Sequence, residues 1–211
     1  PRHVVAIDLP AALDSIVGLA VLRLAARGLS LNGMAAAPST AVDALVTRPG
    51  ARLVPSDVVV EVDDFWVAGG LERASEAPLI AYPRPDSICR LILTSGTTGA
   101  PRAAALTVAA VEHRLQNLHH YWTDDRRELD LMPLSTTGGF HTALAALHHG
   151  TPYLAVDRIN AASLQLAAEH DVRVLCGSPV HIGTALAVLA EHDLTSPALE
   201  EVRIAGAMPS T

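Results

Sequence analysis

Apolar runs of strand length alternate with stretches of helical periodicity along the whole chain. Residues 3–9 are a short apolar run stopped by Pro10 and predict a strand. Residues 11–27 carry Leu13, Ile16, Val17, Ala20 and Leu24 at helical spacing, with Gly28 as the stop. That helix is apolar on nearly every side, which predicts burial. Residues 38–46 predict another short helix, and residues 51–62 one or two strands around Pro55. Residues 65–81 are irregular, and Pro83, Arg84, Pro85 and Asp86 predict a linker or surface loop.

The pattern then sharpens. Residues 88–93 predict a strand and residues 94–101 a Gly/Thr loop. Thr107 is placed to cap a helix with Val108, Val111, Leu115, Leu118 and Trp122 on one face. Strands over 128–132, 151–156, 172–176 and 201–205 alternate with three helices. The first runs over 138–149 and ends at Gly150. The second runs from the cap Asn160 to about His170, and the third over 179–192 with Pro179 in its first turn. Strands separated by helices of about 10–15 residues imply βαβ units and a largely parallel sheet. The expectation is an α/β fold of two sheets with flanking helices. The division falls into a first subdomain over 1–106, ending in the Gly/Thr loop, and a second over 107–211.

Composition narrows the function. Half of the 211 residues are apolar and 18% are charged, enough to bury a core and to exclude disorder as the main state. Lys and Arg number 15 against 22 Asp and Glu, a net charge of −7. With no basic stripe, this argues against nucleic-acid or anionic-membrane partners. Aromatic content of 3% leaves little for base stacking. Cys89 and Cys176 each lie in an apolar run and predict buried, reduced thiols. No run reaches the ~18 apolar residues of a membrane span. The first residues read as a strand with no leader pattern, so a soluble, cytoplasmic protein is expected.

The candidate chemistry is in Leu91-Ile92-Leu93-Thr94-Ser95-Gly96-Thr97-Thr98-Gly99-Ala100-Pro101-Arg102. A buried strand leads into a loop with hydroxyls, glycines, a proline and a cation. Glycines let backbone N–H groups crowd around an anion. Hydroxyls add donors for phosphate oxygens, and Arg102 adds a forked, charge-assisted contact. Such a loop can hold a polyphosphate while it acts as a leaving group. It is neither a Walker A loop nor a G-x-G-x-x-G fingerprint.

This string resembles the phosphate-loop signature T-S-G-T-T-G-x-P-K of the adenylate-forming superfamily, which includes acyl-CoA synthetases, nonribosomal peptide adenylation domains and luciferases. Thr94 to Arg102 matches it except for Arg at the Lys position. Weaker likenesses follow in family order. Residues 3–28 look like its early strand and helix. Met132-Pro133-Leu134-Ser135-Thr136-Thr137-Gly138-Gly139-Phe140 looks like L-P-L-F-H-x-G-G-L. Gly177-Ser178-Pro179 looks like a strand-to-helix turn, and residues 199–209 look like L-R-x-x-x-x-G-G-A-P-L-P.

The resemblance implies part of the large N-terminal domain of an ATP-dependent carboxylic acid ligase. A carboxylate, from a small carboxylic or fatty acid, attacks the α-phosphorus of ATP. Pyrophosphate leaves, and a thiol of coenzyme A or a carrier phosphopantetheine takes the acyl group. By position, Thr94, Ser95, Gly96, Thr97, Thr98 and Gly99 hold the β/γ-phosphates with Mg²⁺, and Arg102 stands for the family Lys as the catalytic cation. Thr136, Gly138, Gly139, Phe140 and His141 line the acyl side. Gly206, Ala207 and Met208 lie against adenine or the acyl carbonyl.

Three departures qualify the match. Arg102 keeps the charge of Lys but changes its shape. Ser135 and Thr136 stand where many members have an aromatic and His; His141 follows one turn later and is read either as a substitute or as a solvated helix-start residue. The Y-G-x-T-E, T-G-D, hinge and lid segments of the family are not in this sequence, so the 211 residues alone are expected not to catalyse adenylation at a normal rate. The remainder of the chain or an oligomer partner is implied.

Other classes find less support. One alternative is a non-catalytic nucleotide- or acyl-binding or interaction module of the same fold. Another is a kinase-like use of the loop alone. The ten His show no metal-ligand spacing, and no metal site is expected. His148-His149 and His119-His120 fall at predicted helix ends. Asp63-Asp64 and Asp124-Asp125 read as solvated turns, and Glu191-His192-Asp193 as a surface cap. No G-x-S-x-G elbow exists.

Overall fold

A computed structural model describes residues 3–24, 26–32, 34, 38, 40–51, 53–63, 65–66, 69, 84–94, 102–118 and 126–206. The chain divides into two units, Pro1–Val111 and Glu112–Thr211. Each holds one sheet, and both combine sheet with helix.

The first unit contains β1 (Val4–Asp8), α1 (Ala11–Arg23), β2 (Arg27–Ser30), β3 (Ala44–Thr47), β4 (Val58–Glu61), β5 (Ile88–Thr94) and β6 (Arg102–Thr107). They form a six-stranded sheet in the order β4-β3-β1-β2-β5-β6. All neighbours are parallel except β5 and β6. Alternation along β1 builds both layers. Val4 and Ala6 join Leu29, Leu45 and Leu91 in one cluster, while Ile7 joins Val17, Val21, Val46 and Val62 in the other.

Three local expectations are corrected here. The first helix ends at Arg23, and Gly28 lies inside β2, paired with Val5 and Arg90. A Cβ at Gly28 would make only ordinary contact with Arg90 Nη1, at 3.4 Å, so Gly28 is a plain strand residue and not a helix stop. Nor is α1 apolar and buried all round: Ile16 is exposed, and Asp14 is on the buried side. The Ser30 hydroxyl donates to Asp14, and Arg90 Nη2 lies 3.8 Å from the Asp14 carboxylate. Burial pulls the Arg90 guanidinium below its ordinary range, and the Asp14 charge pulls it back up. The helix expected over 38–46 is instead β3 at its C-terminal end. Leu45 and Val46 are both buried between β1 and β4, and a strand covered on both faces has no alternation to reveal it. β6 was hidden because Arg-Ala-Ala-Ala-Leu-Thr favours helix locally; pairing with β5 overrides that preference.

α2 (Val108–Leu118) follows β6 directly, with Thr107 Oγ1 accepting from the Ala110 N–H at 3.2 Å. The second unit then runs β7 (Glu128–Asp130), α3 (Thr137–His149), β8 (Tyr153–Ala155), α4 (Ala161–Glu169), β9 (Val174–Gly177), α5 (Pro179–Glu191) and β10 (Glu201–Ile204). Its sheet has the order β10-β9-β7-β8 and is parallel throughout. Caps fix the helices in register. Thr136 caps α3, and Gly150 closes it at φ 71°. Asn160 and Ser163 form a reciprocal capping box on α4.

The two sides of this second sheet differ in chemistry. Leu129 and Leu175 pack with Leu164, Ala167, Ile182 and Ala185 of α4 and α5. Glu128 and Asp130 alternate with Leu129 and so face the opposite side, where Asp130 is level with Cys176 and Cys176 with Arg203. Both carboxylates are 2% exposed. Cys89 and Cys176 are buried free thiols. No helix among the described residues is long and apolar enough to cross a membrane.

Candidate functional site

In the first unit the chemistry-bearing loop is strung between two paired strands. β5 and β6 are in register from Leu93 opposite Ala103 to Thr94 opposite Arg102. Thr94 therefore closes β5, Arg102 opens β6, and the sheet fixes the distance between the loop's ends. Ser95, Gly96, Thr97, Thr98 and Gly99 lie outside the described residues. So do Ala207 and Met208.

In the second unit the polar side of the sheet floors a cleft of about 880 Å³. α3 and the segment before it form one wall, contributing Met132, Thr136, Thr137, Gly138, His141 and Thr142. β10 and its end contribute Glu201, Arg203, Ala205 and Gly206; Arg114, Ser178 and His181 also line it. The sequence singled out Thr136, Gly138, His141 and Gly206, and the fold brings all four to this cleft. Gly139 and Phe140 adjoin it: the Phe140 ring stands edge-on to His141 with centroids 5.5 Å apart.

The turn into α3 is set by close packing. A Cβ on Gly139 would lie 2.5 Å from both the Met132 and Pro133 carbonyl oxygens, so only glycine fits there. Thr136 Oγ1 donates to the Pro133 carbonyl at 2.7 Å and accepts from the Gly139 N–H at 3.1 Å. His141 is buried, which corrects its reading as a solvated helix-start residue. Its Nδ1 lies 2.7 Å from the Thr137 carbonyl, so that nitrogen carries the proton and Nε2 is the free acceptor. Burial holds the imidazole below its ordinary range, the Thr137 carbonyl opposes this, and the Arg114 charge adds to the lowering.

At the floor, Arg203 Nη1 donates to Glu128 Oε2 at 2.8 Å, while its Nε and Nη2 hold both oxygens of Glu201 at 2.8 and 3.3 Å. Arg126 Nη1 reaches Glu201 at 3.0 Å. Burial raises Glu128 to about 7, the Arg203 charge pulls it down, and Asp130 and Glu201 push it up again. Burial raises Asp130 to about 6, against the Met132 N–H and the Thr142 hydroxyl, which lower it. Burial alone would lower Arg203, but its bonds to Glu201 and the Glu128 charge hold it above its usual range. Burial and the neighbouring carboxylates keep the Cys176 thiol protonated, so it is no nucleophile. Ser178 turns its hydroxyl to His181 Nδ1 at 2.9 Å. Among the described residues the cleft shows no activated attacking group.

The sequence reading missed the floor. Glu128, Arg203 and Glu201 carried a usable signal: Glu-Leu-Asp-Leu and Glu-Val-Arg-Ile alternate with period two, which puts their charges on one face. His148 and His149 lie in the last turn of α3.

The family described as AMP-binding enzyme matches residues 31–211. A 4-chlorobenzoate–CoA ligase from Pseudomonas sp. (strain CBS-3) is 29% identical over 201 residues, covering 90% of this chain and 37% of that protein. Among solved structures, VinN in complex with L-aspartate aligns with a TM-score of 0.77 at 16% identity, covering 99% of this chain and 58% of that one. The o-succinylbenzoate CoA synthetase MenE from Bacillus subtilis, bound to its acyl-adenylate OSB-AMP, aligns with a TM-score of 0.71 at 19% identity, covering 99% and 57%. The chain thus spans well under two thirds of the length of these relatives.

Proposed function

Because the chain belongs to the AMP-binding enzyme family, we propose that it carries the phosphate-gripping and acyl-binding parts of an ATP-dependent acid–thiol ligase. The observation that bears most weight is the string Thr94 to Arg102 held between the paired ends of β5 and β6. Its donor set, read from residue types, suits a polyphosphate: hydroxyls, glycine N–H groups and one cation.

In this reading a carboxylate oxygen forms a bond to the α-phosphorus of ATP, and the bond from that phosphorus to the bridging oxygen of pyrophosphate breaks. The acyl-adenylate then loses AMP when a thiol sulfur, of coenzyme A or a carrier phosphopantetheine, attacks the acyl carbon and gives up its proton. Two anions must meet in the first step, so the barrier is largely electrostatic. Thr94, Ser95, Thr97 and Thr98 donate hydroxyl contacts to the β/γ-phosphates, Gly96 and Gly99 let the backbone close round them, and Arg102 neutralises charge on the leaving group. Mg²⁺, accompanying the triphosphate, supplies further neutralisation. Thr136, Gly138, Gly139, Phe140 and His141 shape the acyl side. Gly206 has φ 93°, and among the described residues nothing lies within 4 Å of where its Cβ would be. In this reading Gly206, with Ala207 and Met208 next in the chain, lies against adenine or the acyl carbonyl.

Acid-dependent exchange of labelled pyrophosphate into ATP by the complete gene product tests this reading. Exchange that requires an added carboxylic acid supports it. ATP binding without exchange favours a non-catalytic module, and ADP formation favours phosphate transfer; either result refutes the ligase.

A further inference from the structure

Among the described residues β10 is an edge strand, paired with β9 alone. Its apolar side chains do not anchor it, since Val202 is 44% exposed and Ile204 50%. The ladder runs one residue past the strand, where the Ala205 N–H donates to the Gly177 carbonyl at 2.9 Å. The chain then turns at Gly206, with φ 93°. Glu128, Glu201, Arg203, Ala205 and Gly206 all line the cleft.

A guanidinium ties this strand end to the middle of the sheet. Register sets Glu128 of β7 level with Val174 of β9, and Val174 level with Glu201 of β10. Arg203 stands two positions beyond Glu201. Its side chain reaches back and across β9, so that Nη1 donates to Glu128 Oε2 at 2.8 Å while Nε and Nη2 fork onto Glu201. Arg126 adds a second tie to Glu201, farther along the chain from Gly206. The planar fork of arginine can serve two carboxylates at once, which the single ammonium of lysine cannot do in the same geometry. Little water screens the bridge, because the Arg203 side chain is 15% exposed and that of Glu128 only 2%. Without the guanidinium, Glu128 would be left buried beside Glu201 with its main cation gone.

Resting on the ligase reading above, we infer that Arg203 is a positioning residue: by tying β10 to β7 it sets where the backbone at Ala205 and Gly206 stands, and with it the grip on the adenosine end of the nucleotide. It acts through the strand, three residues from Gly206, and not on the phosphates.

The test uses the complete gene product and calorimetric titration with AMP and, in the presence of Mg²⁺, with ATP. Both nucleotides share the adenosine end, and only ATP carries β- and γ-phosphates. Arg203→Met should weaken AMP and ATP by similar factors, at least tenfold each. Arg203→Lys should fall between that variant and the unmodified protein. Melting curves separate positioning from folding. A role in stability alone lowers the melting temperature and the fraction of protein that binds, with Kd unchanged, and that result overturns the inference. Weakening of ATP without AMP points to the phosphate end and also overturns it. Where Arg203→Met does not fold, Arg203→Lys decides: AMP binding at least threefold weaker supports the inference, and unchanged binding overturns it. Binding of ATP without AMP by the unmodified protein overturns this inference and leaves the ligase reading intact. Binding of neither nucleotide refutes both.

Discussion

Glu128 and Asp130 make stability fall as pH rises. Burial lifts Glu128 from its ordinary 4.5 to about 7 and Asp130 from 3.8 to about 6. Between each pair of values the unfolded chain has lost a proton that the folded chain keeps, so stability drops with pH; above about 7 the loss is complete, and below about 4 it vanishes. For one such group this amounts to roughly 3 kcal/mol. The complete gene product should melt at higher temperature near pH 5 than near pH 8. Glu128→Gln, which cannot ionise, should flatten that difference. An unchanged pH slope in the variant would show that Glu128 is not held protonated by burial. These residues were legible only in part. Thr94, Gly96, Gly99 and Arg102 announce phosphate chemistry by type and order. Glu128 and Arg203 acquire meaning only when strand register places them side by side, seventy-five positions apart.

Among the elements, α3 has the tightest constraints. Gly139→Ala forces a methyl group against two backbone carbonyls that cannot swing away. Overpacking of this kind costs roughly 1–3 kcal/mol. It should appear as a lowered melting temperature together with weakened acid binding, since the same turn carries Thr136 and His141 to the cleft. Asn160→Ala, which removes one half of the α4 capping box, should cost about 1 kcal/mol in chemical denaturation without altering the acid preference. A change in preference would tie α4 to the cleft, where nothing among the described residues puts it. Capped, amphipathic helices such as these were readable from sequence because caps and periodicity are local. β3 and β6 were not. Leu45 and Val46 sit in a strand covered on both sides, and the alanines of β6 owe their extended form to β5. In both cases the deciding contact is remote in sequence.

At the scale of the whole molecule, the parallel α/β architecture was legible from the alternation of strand and helix, and the family from one loop. The division between the two units has no mark in the sequence. It falls at Val111, inside α2, where an unbroken helical pattern gives the sequence no punctuation to mark it. Arg102 heads β6 at the mouth of the loop, so Arg102→Ala should lower the rate of acid-dependent exchange roughly 10²-fold, and Arg102→Lys should restore most of it. Equal loss in both variants would indicate a role for guanidinium shape beyond charge.

The central claim is that a carboxylate becomes an acyl-adenylate on this protein. Turnover of an acid labelled with ¹⁸O in its carboxylate, with the released nucleotide analysed by mass, tests it most directly. One labelled oxygen should appear in AMP, carried over from the acid when the thiol displaces the nucleotide. Label in inorganic phosphate, with ADP as the nucleotide product, would contradict it.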